Sequence, residues 1–208
     1  SKIMSIIKEE LEALNEKYGD ERRTLISDFD GDLNTEDLIP RSQVVVMRTQ
    51  EGYIKRVDLD EYQAQNRGGK GRIGIKAKEG DFPVELYSMG SHDHLLFFTT
   101  AGSMYFLKAW QIPDVSRYSK GTPLVQLLQK LDEGRKEKDE QVLCMLPVAN
   151  ISGDGHYFLF STKKGIIKKT RLEEYSSRIE RAWARDQGFR AITLKEKDEL
   201  IGVAISEG

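Results

Sequence analysis

Cysteine is almost absent from this chain: one residue in 208, Cys144, inside the apolar run Gln141-Val142-Leu143-Cys144-Met145-Leu146. No intrachain disulfide can form, so a reducing compartment is the expected setting and a small buried hydrophobe the expected role of Cys144. Long hydrophobic runs are missing too. The apolar stretches span only a handful of residues, and the opening Ser1-Lys2-Ile3-Met4 has neither the apolar region nor the cleavage site of a secretory signal. A soluble cytoplasmic protein is expected. Nor does one sign of charge dominate: 32 Lys and Arg face 34 Asp and Glu, a net charge of -2. That balance excludes a histone-like protein and a disordered acidic tail. The three histidines, His92, His94 and His156, form no ligand set with the single cysteine, so no metal site is expected.

The length suffices for one or two domains with a real core. The balanced total hides an asymmetry: residues 1–40 hold 5 basic and 11 acidic side chains, net -6, against 27 and 23 in the remainder, net +4. The acidic leader places Ile7, Leu11, Leu14 and Tyr18 at spacings of 4, 3 and 4, with Gly19 after the last. This predicts one helix, within residues 1–26, carrying a narrow apolar stripe. Such a stripe suits a coiled-coil seam or docking onto a neighbour, with core packing as the ordinary alternative. Residues 27–42 are rich in turn formers and read as a linker. Asp28, Asp30 and Asp32 alternate as in a calcium loop, but the glycine is misplaced and no Glu stands twelfth, so a solvated acidic turn is expected.

From residue 43 to 208 the pattern changes to short β-branched and aromatic runs that repeat. Val44–Val57 with Gly52, Leu95–Leu107 with Gly102, and Phe158–Thr170 with Gly165 each read as strand, short polar turn ending in glycine, strand. Each is a β-hairpin. The hairpin glycines are 50 and 63 residues apart, and the longer interval contains the charged insert Glu133–Glu140. A second glycine follows each: Gly71, Gly121 and Gly188, at 19, 19 and 23 residues. Repeats of about 50 residues with about four strands each are the signature of propeller blades. The expected class is all-β, with about three blades of four-stranded antiparallel sheet in a fragment, preceded by one helix. The final segment Asp198–Ile205 reads as a strand opening a further unit.

Between the first two hairpins lies Gln65-Asn66-Arg67-Gly68-Gly69-Lys70-Gly71-Arg72. Its glycines admit positive φ and close approach of a partner, while Arg67, Lys70 and Arg72 supply charge with no acid among them. It suits a phosphate backbone or, as an ordinary alternative, a solvated loop. It is not a P-loop, since no Ser or Thr follows the lysine. Gln65 to Gly71 resembles, at six of seven residues, the box Gln-Arg-Arg-Gly-Gly-Lys-Gly that marks the C-terminal domain of the DNA gyrase A subunit. Ile6-Ile7-Lys8-Glu9-Glu10-Leu11 and Lys17-Tyr18-Gly19-Asp20-Glu21-Arg22-Arg23-Thr24 are similar to the end of the breakage-reunion region in that family. Gly52-Tyr53-Ile54-Lys55-Arg56 resembles its first blade hairpin.

The resemblance implies a β-pinwheel of strand-exchanged blades that wraps duplex DNA around a basic rim. The holoenzyme, a bacterial ATP-dependent type II topoisomerase containing the gyrase B subunit and a second A subunit, then introduces negative supercoils at the chromosome. It also implies that the cleaving tyrosine and the sites for ATP and Mg2+ lie in other regions, leaving no catalytic residue, metal or cofactor here. Asn66 departs from the family's Arg and keeps only an amide for a phosphate oxygen. Further DNA-binding candidates are Lys55 and Arg56 of the first hairpin, Arg117 and Lys120 before Gly121, Lys168, Lys169 and Arg171 of the third hairpin, and Arg185 and Arg190 around Gly188. Residues 163–190 hold 9 basic and 4 acidic side chains. Charge recurring with the blade period fits a continuous rim and sequence-independent phosphate binding. Trp110 and Trp183 are assigned to core packing rather than base stacking. Two rivals stand beside this reading: the C-terminal domain of topoisomerase IV, and a propeller that binds an acidic protein.

Overall fold

The computed structural model describes residues 2–20, 35–61, 80–116, 118–129, 140–151, 155–183 and 188–207. The chain divides into two units, Ser1–Leu38 and Ile39–Gly208. In the first, helix α1 (Lys2–Tyr18) ends where Gly19 donates its N–H to the Asn15 carbonyl at 2.7 Å. Its stripe of Ile7, Leu11, Leu14 and Tyr18 is exposed. A 3-10 turn, Thr35–Leu38, closes the unit.

The second unit begins with the hairpin β1 (Gln43–Thr49) and β2 (Tyr53–Asp58), followed by β3 (Pro83–Gly90). A second hairpin, β4 (His94–Thr99) and β5 (Ser103–Lys108), leads to the two-residue strand β6 (Thr122–Pro123), helix α2 (Leu124–Gln129) and β7 (Val142–Val148). The third hairpin is β8 (His156–Thr162) and β9 (Ile167–Arg171). Helix α3 (Glu173–Trp183), the short β10 (Phe189–Arg190) and β11 (Leu200–Glu207) complete the chain.

All three hairpins turn alike. Thr49, Thr99 and Thr162 each stand three residues before the turn glycine, and their carbonyls accept the N–H of Gly52, Gly102 and Gly165 at 3.0, 2.9 and 2.9 Å. The glycines take φ of +82°, +80° and +78°, the left-handed conformation that closes a three-residue loop without a Cβ clash. Each threonine hydroxyl accepts the N–H that reopens the ladder, from Tyr53, Ser103 and Ile166 at 3.2, 3.1 and 3.2 Å.

The sheet orders are β3-β1-β2-β6, β10-β5-β4-β7 and β11-β8-β9, all antiparallel. Two sheets thus have four strands and the third has three among the described residues. The fourth strand of the first two sheets comes from beyond the next hairpin: β6 pairs with β2, and β10 with β5. The last strand corrects an expectation. Residues 200–207 do not open a further unit, because β11 pairs with β8 along its length, as β3 does with β1 and β7 with β4.

Burial explains the apolar run Leu95-Leu96-Phe97-Phe98. Leu95 and Phe97 pack toward the first sheet, against Val44, Val46 and Ile54, with Leu124 and Leu128 of α2 at the edge. Leu96 and Phe98 point the other way, against Phe158 and Phe160, with Tyr175 and Ile179 of α3. A strand buried on both faces has no polar alternation left. Phe98 meets Phe158 edge-on at 5.4 Å between ring centres, a geometry adding about 0.5–1.5 kcal/mol beyond burial.

The turn glycines differ in surroundings. A Cβ on Gly52 would meet nothing within 4 Å, whereas one on Gly102 would lie 2.7 Å from the Ile192 carbonyl oxygen. Gly52→Ala is expected to cost about 1–2 kcal/mol through backbone conformation alone. Gly102→Ala should cost at least about 1 kcal/mol more, by overpacking. Urea unfolding checks this, and equal losses would contradict it.

Candidate nucleic-acid interface

β7 touches both β3 and β11, so the third strands of the sheets gather on one side. The opposite margin of each sheet is formed by β2 with β6, β5 with β10, and β9. Along this margin the periodic second glycine acquires a meaning. A Cβ on Gly121 would stand 2.5 Å from the Ile54 carbonyl oxygen, and one on Gly188 would stand 2.5 Å from the Tyr105 ring. Both glycines let the chain press onto the preceding sheet immediately before it donates β6 or β10. Gly121, at φ +90°, also needs the left-handed conformation.

Two cations expected at the surface bind the crossing segment instead. Lys55 is fully buried and its ammonium donates to the Ser119 carbonyl at 3.2 Å. Burial holds its pKa below the ordinary lysine value, with the Glu61 charge opposing. Arg56 donates from Nε to the Ile112 carbonyl at 3.1 Å and lies 3.7 Å from Asp114. Its backbone also bonds Pro113 and Val115. Both side chains fasten the crossing segment to β2, and the buried Lys55 is not placed to meet a phosphate.

The remaining candidates lie at the margin. The Lys120 ammonium sits 3.8 Å from the centre of the Tyr53 ring. Lys168, Lys169 and Arg171 are exposed on β9; Lys169 lies over Tyr157 at 4.1 Å, and Arg171 donates to Glu173 at 3.1 Å. Arg190 is exposed on β10, and its carbonyl accepts from Arg178, whose guanidinium lies 4.5 Å from the Phe189 ring. Lys163 pairs with Glu199 at 3.0 Å, and Lys164 donates to the Glu196 carbonyl at 2.6 Å. Gln65 to Arg72, Arg117 and Arg185 lie outside the described residues, as do Asp28, Asp30 and Asp32.

Sequence reasoning missed the groups that hold the turns. Asp81 accepts the N–H of Glu51 and of Phe82, both at 3.0 Å. Asp198 does the same for Lys164 and Glu199, also at 3.0 Å. Glu140 accepts the Thr99 hydroxyl in the middle sheet. The next residue accepts from the turn in each case, Gln50 to Phe82, Thr100 to Gln141 and Lys163 to Glu199 at 2.9, 2.9 and 2.8 Å. The threonine three residues before each hairpin glycine was the available signal; its acid, in a distant segment, had none.

Among the described residues, the groups nearest to a catalytic set are engaged otherwise. Ser91, His92 and Asp93 are consecutive, but the Ser91 hydroxyl donates to the Pro40 carbonyl at 3.0 Å, with His92 Nδ1 also 3.0 Å away. Asp93 caps Gly90 at 2.7 Å. Burial, with the Glu85 charge second, pushes the Cys144 thiol up to about 11, far from the thiolate a nucleophile needs. Trp110 is half-buried. Among the described residues no three His, Cys, Asp or Glu are grouped to hold a metal, and no helix is long and apolar enough to cross a membrane.

Blades that trade strands and carry cations along one margin define a propeller-type module. The chain belongs to the family described as DNA gyrase C-terminal domain, beta-propeller, whose model matches residues 43–82, 93–138, 156–179 and 184–207. It is 42% identical over 207 residues to the DNA gyrase A subunit of Halalkalibacterium halodurans, covering 100% of this chain and 23% of that protein. It is also 42% identical over 208 residues to the corresponding protein of Streptococcus pneumoniae, covering 100% and 24%. The chain therefore spans about a quarter of the length of these relatives. Among solved structures it is similar to the C-terminal domain of DNA topoisomerase IV, at TM-score 0.63 and 26% identity, covering 82% of this chain and 47% of that one. A DNA gyrase A C-terminal domain shares the fold at TM-score 0.54 and 24% identity, covering 80% and 48%.

The carboxylate turns predict a pH dependence. Burial alone would raise the pKa of Asp81 and Asp198; the N–H donors, the Thr49 and Thr162 hydroxyls and the Lys120 and Lys164 charges outweigh it, and both fall below the ordinary 3.8. A carboxylate depressed on folding contributes stability that is complete above its unfolded value and is lost as pH falls through the folded one. Wild type should lose stability below about pH 4, and Asp81→Asn with Asp198→Asn should flatten that limb. Unfolding midpoints across pH 2–6 decide it; parallel curves would refute it.

Proposed function

We propose that this chain is the DNA-binding and wrapping part of a DNA gyrase A subunit. The observation that carries this is 42% identity to such a protein along the whole chain, together with the family match over its blades. The physics agrees. Bending 20–30 bp of duplex by 40–90° costs about 1–6 kcal/mol, so wrapping needs contacts spread along a curved surface rather than one strong site. Successive blades provide this through Lys120, Lys168, Lys169 and Arg190, with the box from Gln65 to Arg72 as a further contact. Phosphate contacts make such binding indifferent to sequence and sensitive to salt.

In the holoenzyme this part presents a DNA crossing of fixed hand to a cleavage core built with a second A subunit and the gyrase B subunit. ATP-driven passage then introduces negative supercoils, in the cytoplasm at the chromosome. ATP and Mg2+ act elsewhere in the assembly, and no cofactor is assigned to this chain. A topoisomerase IV role is the second reading, favoured by the TM-score of 0.63. The six-of-seven box and the higher identity to gyrase proteins weigh against it.

The test is topological. The protein is bound to nicked circular DNA, the nick is sealed, and the linking number is read across a salt series. A one-handed shift that grows with protein and fades with salt is expected. Arg67→Ala, Lys70→Ala and Arg72→Ala together should cut the shift sharply with the unfolding midpoint unchanged. The slope of log affinity against log salt should fall by about 0.9 for each phosphate no longer neutralised. Absence of binding even at low salt would overturn the reading in favour of a protein partner.

A further inference from the structure

Cations at the blade margin show two contrasting arrangements. Lys163 and Arg171 pair with Glu199 and Glu173, at 3.0 and 3.1 Å. Lys120 and Lys169 instead lie over aromatic rings, at 3.8 Å from Tyr53 and 4.1 Å from Tyr157, and neither makes an ion pair among the described residues. The two arrangements differ electrostatically. A carboxylate fixes a cation but cancels its field toward a third body. A ring fixes it through its quadrupole without a paired counter-charge, although Lys120 also acts at longer range on the Asp81 carboxylate. A lysine met by a phosphate without such a support must surrender its rotamer freedom at that moment.

Local structure builds both pairs. Tyr157 stands opposite Arg171 across the β8–β9 ladder, so Lys169, two residues back on the same face, is its diagonal neighbour. Tyr53 opens β2 and pairs with Pro123 of the exchanged strand, which brings Lys120, at the close approach of Gly121, onto its face. Both rings are half-buried; Tyr157 lies on the middle strand of the third sheet beside Lys169 on its edge strand β9, and Tyr53 lies on β2 beside Lys120, just before the edge strand β6 of the first.

We propose that the ring-held lysines are the phosphate-gripping points of this surface, with Tyr157 and Tyr53 as positioning residues that hold Lys169 and Lys120 ready for a DNA backbone. This rests on the duplex-binding reading above. A ring that only positions a charge has a distinctive signature. Its loss weakens binding without changing the number of phosphates neutralised, whereas loss of the lysine lowers that number.

The experiment measures affinity of the 208-residue chain for a fluorescent linear duplex of mixed sequence over a salt series, with unfolding midpoints alongside. Tyr157→Leu should weaken binding about 3- to 10-fold at an unchanged salt slope, Tyr157→Phe should keep wild-type affinity, and Lys169→Ala should lower the slope by about 0.9. Tyr53→Leu, Tyr53→Phe and Lys120→Ala should behave alike. Wild-type affinity in both leucine variants, or no slope change in both alanine variants, would overturn the proposal while wild-type binding upheld the DNA reading. Equal weakening by phenylalanine and leucine would also overturn it. Failure of the wild-type chain to bind duplex would refute the DNA reading itself.

Discussion

Each hairpin ends on a left-handed glycine, and that backbone state decides how the sheets are joined. With φ near +80° the turn directs the glycine carbonyl out of its own ladder, where the following repeat can reach it. Gly52 accepts the N–H of Leu124 at 2.8 Å, and Gly102 accepts those of Ala191 and Ile192 at 2.9 and 3.2 Å. The segments that make these bonds are continuous with β6 and β10, so the turn that closes one blade is the anchor for a strand of the next. A β-branched residue there would strain the turn and misplace the acceptor together. The carboxylate and threonine behind each turn fix its position against the third strand, which makes the hairpin a rigid frame for the margin.

Side chains meet this frame by chemistry that crosses long stretches of chain. The positions of the three hairpins were legible because a strand's composition and a turn's glycine are local facts. Gly121 and Gly188 were legible as a period but not as a purpose, since their need for glycine comes from β2 and β5 of another repeat. Lys55 shows the limit most plainly. Its neighbours in sequence made it a surface cation, while its partner is a carbonyl 64 positions away. Asp81 and Asp198 had no visible role for the same reason, lying 30 and 34 positions from the turn N–H groups they accept. The strand at 200–207 was readable as a strand, whereas its pairing with β8 depended on contacts some 40 residues apart.

For the candidate surface, sequence and structure contribute different halves. The box from Gln65 to Arg72 stands on its resemblance and lies outside the described residues. The structure sorts the other cations by what they already bind. Lys55 donates to a carbonyl inside, where an unpaired ammonium would be costly, and half-buried Arg56 bonds the Ile112 carbonyl, so both serve the architecture. A count of basic residues per repeat therefore overstates the charge that a polyanion meets.

What remains is sparse and periodic, and that suits the mechanics of a bent duplex. A single dense cluster would bind a short stretch tightly and leave the flanking DNA free to straighten. Cations on successive blades, each joined rigidly to the next by an exchanged strand, make the spacing of contacts a property of the backbone. A curved path is then favoured only when several contacts form together, and the elastic cost is shared among them. β6 and β10 both come from a later repeat to pair with an earlier one, so each exchange runs in the same sense along the chain. Contacts spaced in this way need no base to be read.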